Sequence, residues 1–146
     1  MKLLNKIKNK SAVVGVIGLG YVGLPLTINF VKTGFQVIGL DIDQEKIKKI
    51  SEGLSYISHI ADSSIKKLIN SSFSFSSDYS QIKRCDVIIF CVPTPLNLNR
   101  EPDLSFIFDT MQSIKPFLRK NQLISIESTT YPGMTEEIIA TELVSL

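Results

Sequence analysis

Apolar residues fall into short runs separated by segments of helical period, the pattern of an α/β fold with a mostly parallel sheet. The run Ala12–Ile17 lacks polar alternation, so it reads as a first strand buried on both faces. A helix follows from Tyr21 or Val22 to Thr33, with Gly34 placed for the left-handed residue after its end. Phe35–Leu40 is a second strand ending at Asp41. Gln44–Glu52 is a helix with Ile47 and Ile50 on its apolar side and Gly53 closing it. Leu54–Asp62 reads as irregular, and Ser63–Ser71 as a short helix with Ile65, Leu68 and Ile69 inward. Phe73–Ser76 is a short third strand, Asp78 caps a brief helix ending near Arg84, and Asp86–Cys91 is the fourth strand. Pro102 and Asp103 open the next helix, Asp103 as N-cap, with Pro116 near its end or kinking it. Leu123–Ile126 is a fifth strand, and Thr135–Leu146 begins a further helix with Glu136 and Glu137 in its first turn.

Between the first strand and the first helix stands Gly18-Leu-Gly20-Tyr-Val-Gly23. In that context each glycine has a task. Gly18 permits the tight turn out of the strand, Gly20 lets the backbone approach a pyrophosphate, and Gly23 lets the helix pack closely on the sheet. The helix N-terminus then offers N–H groups and positive dipole charge to the phosphates. Asp41 ends the second strand 18 residues after Gly23, where a carboxylate can accept hydrogen bonds from both ribose hydroxyls of an adenosine. The same charge repels a 2′-phosphate, and no arginine follows to receive one, which selects NAD over NADP. Lys46 reads either as a cofactor contact or as part of the solvated Lys46, Lys48, Lys49 face. The fold class expected is therefore a Rossmann-type doubly wound parallel sheet of strand order 3-2-1-4-5-6, truncated before the sixth strand.

The 146 residues amount to about one domain, with a basic tail over residues 1–11 and a dinucleotide-binding unit over 12–146. An apolar share of 44% and a charged share of 21% exclude disorder, and a net charge of +2 is too weak for a nucleic-acid platform. Ser11–Val31 is an uncharged stretch of 21 residues after Lys2, Lys6, Lys8 and Lys10, which superficially resembles a signal peptide or a membrane span. Its four glycines, Pro25 and Asn29 argue against both, and the lysines read as a solvated tail. Cys85 and Cys91 are six residues apart in the chain, roughly 20 Å if extended at ~3.3 Å per residue, too far for a disulfide. Both read as inert core or near-core thiols. His59, the only histidine, has no metal-type partner and reads as a surface or substrate-side loop residue, so no metal site is expected. A soluble, cytoplasmic protein is the expectation.

Three segments carry a family resemblance: Val16-Ile-Gly-Leu-Gly-Tyr-Val-Gly-Leu-Pro25, then Cys91-Val-Pro-Thr-Pro95 with Glu101-Pro-Asp-Leu-Ser105, then Glu127-Ser-Thr-Thr-Tyr-Pro-Gly133. Together they resemble the UDP-glucose/GDP-mannose dehydrogenase family. With Ser55-Tyr-Ile-Ser-His59 they look most like its UDP-N-acetylglucosamine 6-dehydrogenase branch. The resemblance implies oxidation of the C6 alcohol of a UDP-sugar to a carboxylate, with two NAD reduced in succession. It implies cofactor contacts at Tyr21, Val22, Asp41 and Lys46, in the loop after the fourth strand (Pro93, Thr94, Pro95), and in the loop after the fifth (Ser128, Thr129). Thr129 matches the family's threonine beside the reacting centre, which helps to hold a catalytic water. Pro93 and Pro95 would stiffen the crevice wall.

The family's catalytic cysteine, which carries the substrate covalently, matches no residue of this chain. Neither Cys85 nor Cys91 corresponds to it. The 146 residues are thus expected to be the cofactor domain, inactive alone, of an enzyme whose substrate domain lies elsewhere. Two other readings are a stand-alone dinucleotide-sensing module and the cofactor domain of a hydroxyacid-type dehydrogenase. With no sixth strand, Leu123–Ile126 would be an unpaired edge, through which the chain is expected to self-associate or at which it frays.

Overall fold

The structure is a computed structural model describing residues 2–96 and 100–141. Its order is α1 (Leu3–Lys8), β1 (Val13–Ile17), α2 (Gly23–Lys32), β2 (Gln36–Leu40), α3 (Gln44–Ser51), α4 (Asp62–Ile69), β3 (Phe73–Ser76), β4 (Val87–Phe90), α5 (Ser105–Ile114) and β5 (Leu123–Ile126). Short 3₁₀ turns at Tyr79–Arg84 and Lys115–Phe117 precede β4 and follow α5, and Thr135–Ala140 forms a π-helical turn. The sheet is parallel throughout, in the order β3-β2-β1-β4-β5, as expected for a Rossmann-type α/β fold. None of the described helices is long and apolar enough to cross a membrane.

Burial on both faces explains the apolar strands. Val14, Val16, Val37, Val87 and Ile89 point to one layer, closed by Leu24, Ile50, Ile65 and Leu68 from the helices. Ile17, Ile38, Leu40, Ile88 and Phe90 point to the other, closed by Ile82, Ile107, Met111 and Ile114. Gly34 takes φ +95° and Gly53 φ +71°, so the glycines do close α2 and α3. The α3 cap is Asp43, which accepts from the N–H groups of Glu45 and Lys46. Asp103 accepts from Ser105 N–H at 2.9 Å, but the residue before α5 is Leu104, one position later than expected. The last helix expected at Thr135–Leu146 lies partly outside the described residues.

The segment before β1 corrects part of the reading of a solvated tail: Lys2, Lys8 and Lys10 are exposed, but the segment itself is docked. Residues 3–8 are helical, and Leu3 and Ile7, four apart and so on one face, pack against the core layer that contains Val14. Lys6 Nζ lies 2.7 Å from Asp86 Oδ1. Arg119 Nη2 donates to the same oxygen at 2.9 Å, and Val13 N–H donates to Oδ2 at 3.1 Å. Arg119 also donates to the carbonyls of Lys83 and Cys85. One buried carboxylate thus joins α1, β1, the start of β4 and the approach to β5.

Burial alone would raise the Asp86 carboxyl, but hydrogen bonds from Lys6, Arg119 and Val13 outweigh it and hold the group below the usual carboxylate range. Because the folded value is depressed, the ionised group stabilises the fold above the unfolded pKa of about 3.9, and that contribution is lost as pH falls through the folded value. Asp86→Asn should cost about 2 kcal/mol at pH 7, with both cations partly solvated. Urea unfolding from pH 7 to pH 2.5 should show the difference between the two proteins narrowing below about pH 4. A constant difference across that range would mean that the carboxylate charge is not what holds the cluster.

Candidate functional site

At the C-terminal end of the sheet the chain turns from β1 into α2 through Gly18–Val22. Gly18 has φ +91°, and a Cβ there would lie 2.5 Å from the Cys91 carbonyl oxygen. A Cβ on Gly23 would lie 1.7 Å from the Gly18 carbonyl oxygen, so α2 begins closer to the strand than any side chain allows. A Cβ on Gly20 would meet nothing within 4 Å. That residue lines an open cavity of about 710 Å³. The three glycines therefore do three different things.

The loop is held from below. Leu19 is fully buried, and its N–H donates to Asp41 Oδ2 at 2.8 Å. Asp41 Oδ1 accepts from Asp43 N–H at 2.9 Å, and Lys46 Nζ donates to Oδ2 at 3.0 Å. A carboxylate offers about four lone-pair positions, so three are in use. Lys46 is thus an ion-pair partner of Asp41 and faces the cavity, apart from Lys48 and Lys49, which are exposed.

The cavity gathers most of the residues singled out from the sequence. Gly18, Gly20, Tyr21, Val22, Asp41, Lys46, Pro93, Thr94, Ser128 and Thr129 all line it. Gly23 and Pro95 do not. Gly23 is buried beneath the loop, and the Pro95 carbonyl accepts from Asp103 N–H at 2.7 Å within the loop after β4. Ser128 Oγ donates to the Val92 carbonyl at 2.7 Å, tying the loop after β5 to the one after β4, and leaves the Thr129 side chain exposed.

Several lining residues were not singled out. Ile42, Ile57, Tyr79, Phe106 and Thr110 also line the cavity, as does Tyr56, whose hydroxyl donates to the Leu19 carbonyl of the glycine loop. Ile42 had a signal, since it directly follows Asp41. The others come from segments whose approach to the cavity depends on tertiary packing. His59 lies on the surface, its ring 6.2 Å from that of Tyr21.

Neither thiol is poised to react. Burial pushes Cys91 up to about 11, with Glu127 adding to the effect. Burial likewise pushes Cys85 up to about 12, against the opposing pull of Arg119 and Arg84. Both stay protonated thiols near neutrality.

A dinucleotide fits this arrangement. The cavity runs from a carboxylate at the β2 end across a helix N-terminus, and the position where a Gly20 side chain would stand is open space. The family model described as "UDP-glucose/GDP-mannose dehydrogenase family, NAD binding domain" matches residues 12–145. The UDP-N-acetyl-D-glucosamine 6-dehydrogenase of Pseudomonas aeruginosa is 38% identical over 128 residues, covering 88% of this chain and 30% of that protein. The UDP-N-acetyl-D-mannosamine dehydrogenase of Methanocaldococcus jannaschii is also 38% identical over 128 residues, covering 84% of this chain and 29% of that one. Among solved structures, the UDP-N-acetyl-mannosamine dehydrogenase of S. aureus superposes with a TM-score of 0.84 at 32% identity, over 92% of this chain and 32% of that one. The chain thus spans about three-tenths of the length of the curated relatives it matches.

The glycine geometry separates folding from binding. Gly23→Ala should destabilise by about 3 kcal/mol or more, because the Gly18 carbonyl, part of the backbone, must move. Gly20→Ala should stay within about 1 kcal/mol of the unmodified protein yet bind NADH at least about tenfold more weakly, its methyl standing where phosphates approach. Thermal melts with fluorescence titration check both. Tight NADH binding by Gly20→Ala would put the phosphates elsewhere.

Proposed function

The chain belongs to the UDP-glucose/GDP-mannose dehydrogenase family, and from that membership we propose that it is the NAD-binding domain of a nucleotide-sugar 6-dehydrogenase acting on UDP-N-acetylglucosamine. The observation that carries the reading is the glycine loop and Asp41 side by side on one cavity, joined by the Leu19 N–H, in a chain whose matched family domain binds NAD. In this reading Gly18, Gly20, Tyr21 and Val22 shape the phosphate cradle, Asp41 takes the adenosine ribose, and Lys46 holds that carboxylate in place. Pro93, Thr94, Pro95 and Ser128 form the wall toward the nicotinamide. Thr129, with its exposed hydroxyl, orients a water near the reacting carbon. NAD, when bound, accepts hydride from the C6 carbon. A cytoplasmic location and self-association through β5, which lies at the sheet edge, belong to the same proposal.

Support for an N-acetylated sugar comes from relatives whose names specify UDP-N-acetylhexosamines, and the UDP-N-acetylglucosamine branch is proposed from the resemblance of Ser55-Tyr-Ile-Ser-His59, Pro93–Ser105 and Glu127–Gly133. Substrate chemistry needs a nucleophilic thiolate, and both thiols here are buried and protonated. The 146 residues should therefore give no NADH at 340 nm with any UDP-hexose. The same residues joined to a cysteine-bearing second domain of the family should do so, with UDP-N-acetylglucosamine preferred. Turnover by the chain alone, abolished by Cys91→Ser, would overturn this division of labour, and preference for an unacetylated sugar would overturn the substrate.

Cofactor choice follows from Asp41 and Lys46 together. The unmodified chain should prefer NAD(H) to NADP(H). In Asp41→Ala, NAD(H) affinity should fall about tenfold or more, the loss of a charge-assisted hydrogen-bonding group. Lys46 loses its partner there, so a 2′-phosphate meets a free ammonium and the preference should narrow or reverse. Equal affinities for the two cofactors in the unmodified protein would sink this account.

A further inference from the structure

The chain between α3 and α4 is short, irregular and closely tied down. Ile57 is buried in the core layer with Val14 and Leu24, which pins the segment to the sheet side of α2. Ser55 N–H donates to Asp62 Oδ1 at 2.7 Å at the start of α4. Ser55 Oγ donates to the Ile57 carbonyl at 3.0 Å and accepts from Ile57 N–H at 3.2 Å. The result is a braced arm. From it Tyr56 reaches back 37 residues in sequence, and its hydroxyl donates to the Leu19 carbonyl at 2.6 Å. The exposed His59 ring, on the same arm, lies beside the ring of Tyr21.

Leu19 is thereby gripped on both sides of its peptide units. Its N–H is bound by Asp41, its carbonyl by Tyr56, and its side chain is buried against the β2 backbone at Gly39. The next peptide, Leu19–Gly20, shares the carbonyl that Tyr56 holds, so fixing that oxygen fixes the direction of the Gly20 N–H. The orientation of N–H groups is what a phosphate reads at a helix N-terminus. Burial, reinforced by the Asp41 and Asp43 carboxylates, raises the Tyr56 phenol well above its ordinary value, so it remains a donor at every pH of interest.

We propose that Tyr56 is a positioning residue for the diphosphate cradle: by holding the Leu19 carbonyl from the arm between α3 and α4, it sets the orientation of the Gly20–Gly23 amides. The inference rests on the dinucleotide reading of the cavity for its ligand, but the loop geometry it concerns exists without ligand. Tyr56 touches no phosphate itself in this scheme. It makes the glycine loop rigid before the ligand arrives, so less ordering is needed on binding.

Tyr56→Phe keeps the ring and removes only the hydroxyl. Amide hydrogen exchange of the ligand-free protein should quicken about fivefold at Gly20–Gly23 while β1 and β2 are unchanged, as expected for loss of one hydrogen bond. NADH should bind about fivefold more weakly in a fluorescence titration, with the melting temperature nearly unmoved. Unchanged exchange in the loop overturns the proposal. So does faster loop exchange with unchanged NADH affinity, or faster exchange throughout with a lower melting temperature, which would make Tyr56 an ordinary packing residue. If the unmodified protein fails to bind NADH, the cofactor reading falls, and exchange in the ligand-free loop still decides the role of Tyr56.

Discussion

Gly18 and Gly23 meet where β1 gives way to α2, and the space between them is smaller than a methyl group. Everything at the C-terminal end of the sheet depends on that contact. It brings the N-terminus of α2 over the end of β1, so the peptide dipoles of the helix point at the cavity rather than at solvent. It also presses the loop down until Leu19 is buried and its N–H can reach Asp41 on the neighbouring strand. Register then does the rest. Ile17 pairs with Leu40, so the residues just beyond them, Gly18 and Asp41, leave the sheet side by side.

Asp41 consequently has two roles that compete for one carboxylate. It satisfies a buried backbone N–H of the glycine loop, and it faces the cavity with Lys46 on the same oxygen. The first role is structural, since an unsatisfied buried N–H costs about 1–3 kcal/mol. The second, in the function proposed here, is recognition. A ribose that used both oxygens would have to share with Lys46 or displace it, which would make Lys46 part of the selectivity without any contact to the phosphate.

Much of this was legible in the sequence because it is local. The five strands, the glycine loop, Asp41 and the strand order follow from apolar runs, spacing and the rules of parallel α/β sheets, and the structure places them as expected. What escaped was carried by long-range pairing. Four lysines before β1 look like a solvated tail, and only the fold reveals that Lys6 meets a carboxylate 80 residues away while Leu3 and Ile7 cover the core. Tyr56 stands in the Ser55–His59 segment, noted only for its resemblance, and Tyr79 opens a brief capped turn, so nothing local announces that they line the cavity beside Asp41. The glycine motif predicts where a loop lies. It does not predict which distant side chain holds it there.

The two ends of the sheet divide stability from recognition. At the N-terminal end, Asp86 is held by Lys6, Arg119 and Val13, a cluster that joins elements together. At the C-terminal end, large apolar side chains stay in water: Tyr21 is 71% exposed, Ile42 67%, Val22 54% and Phe106 40%, and all four line the same cavity. Scattered apolar residues on a surface need no explanation, but four around one concave site whose floor carries a carboxylate do. A ligand with flat, partly apolar rings and a charged middle covers such a rim while placing its polar groups on the floor. The same rim explains why the glycine loop must be stiffened from outside. Its upper surface has to remain uncovered for the ligand, so the restraints on Leu19 come from Asp41 and Tyr56 at its edges, the two directions that leave the cavity open.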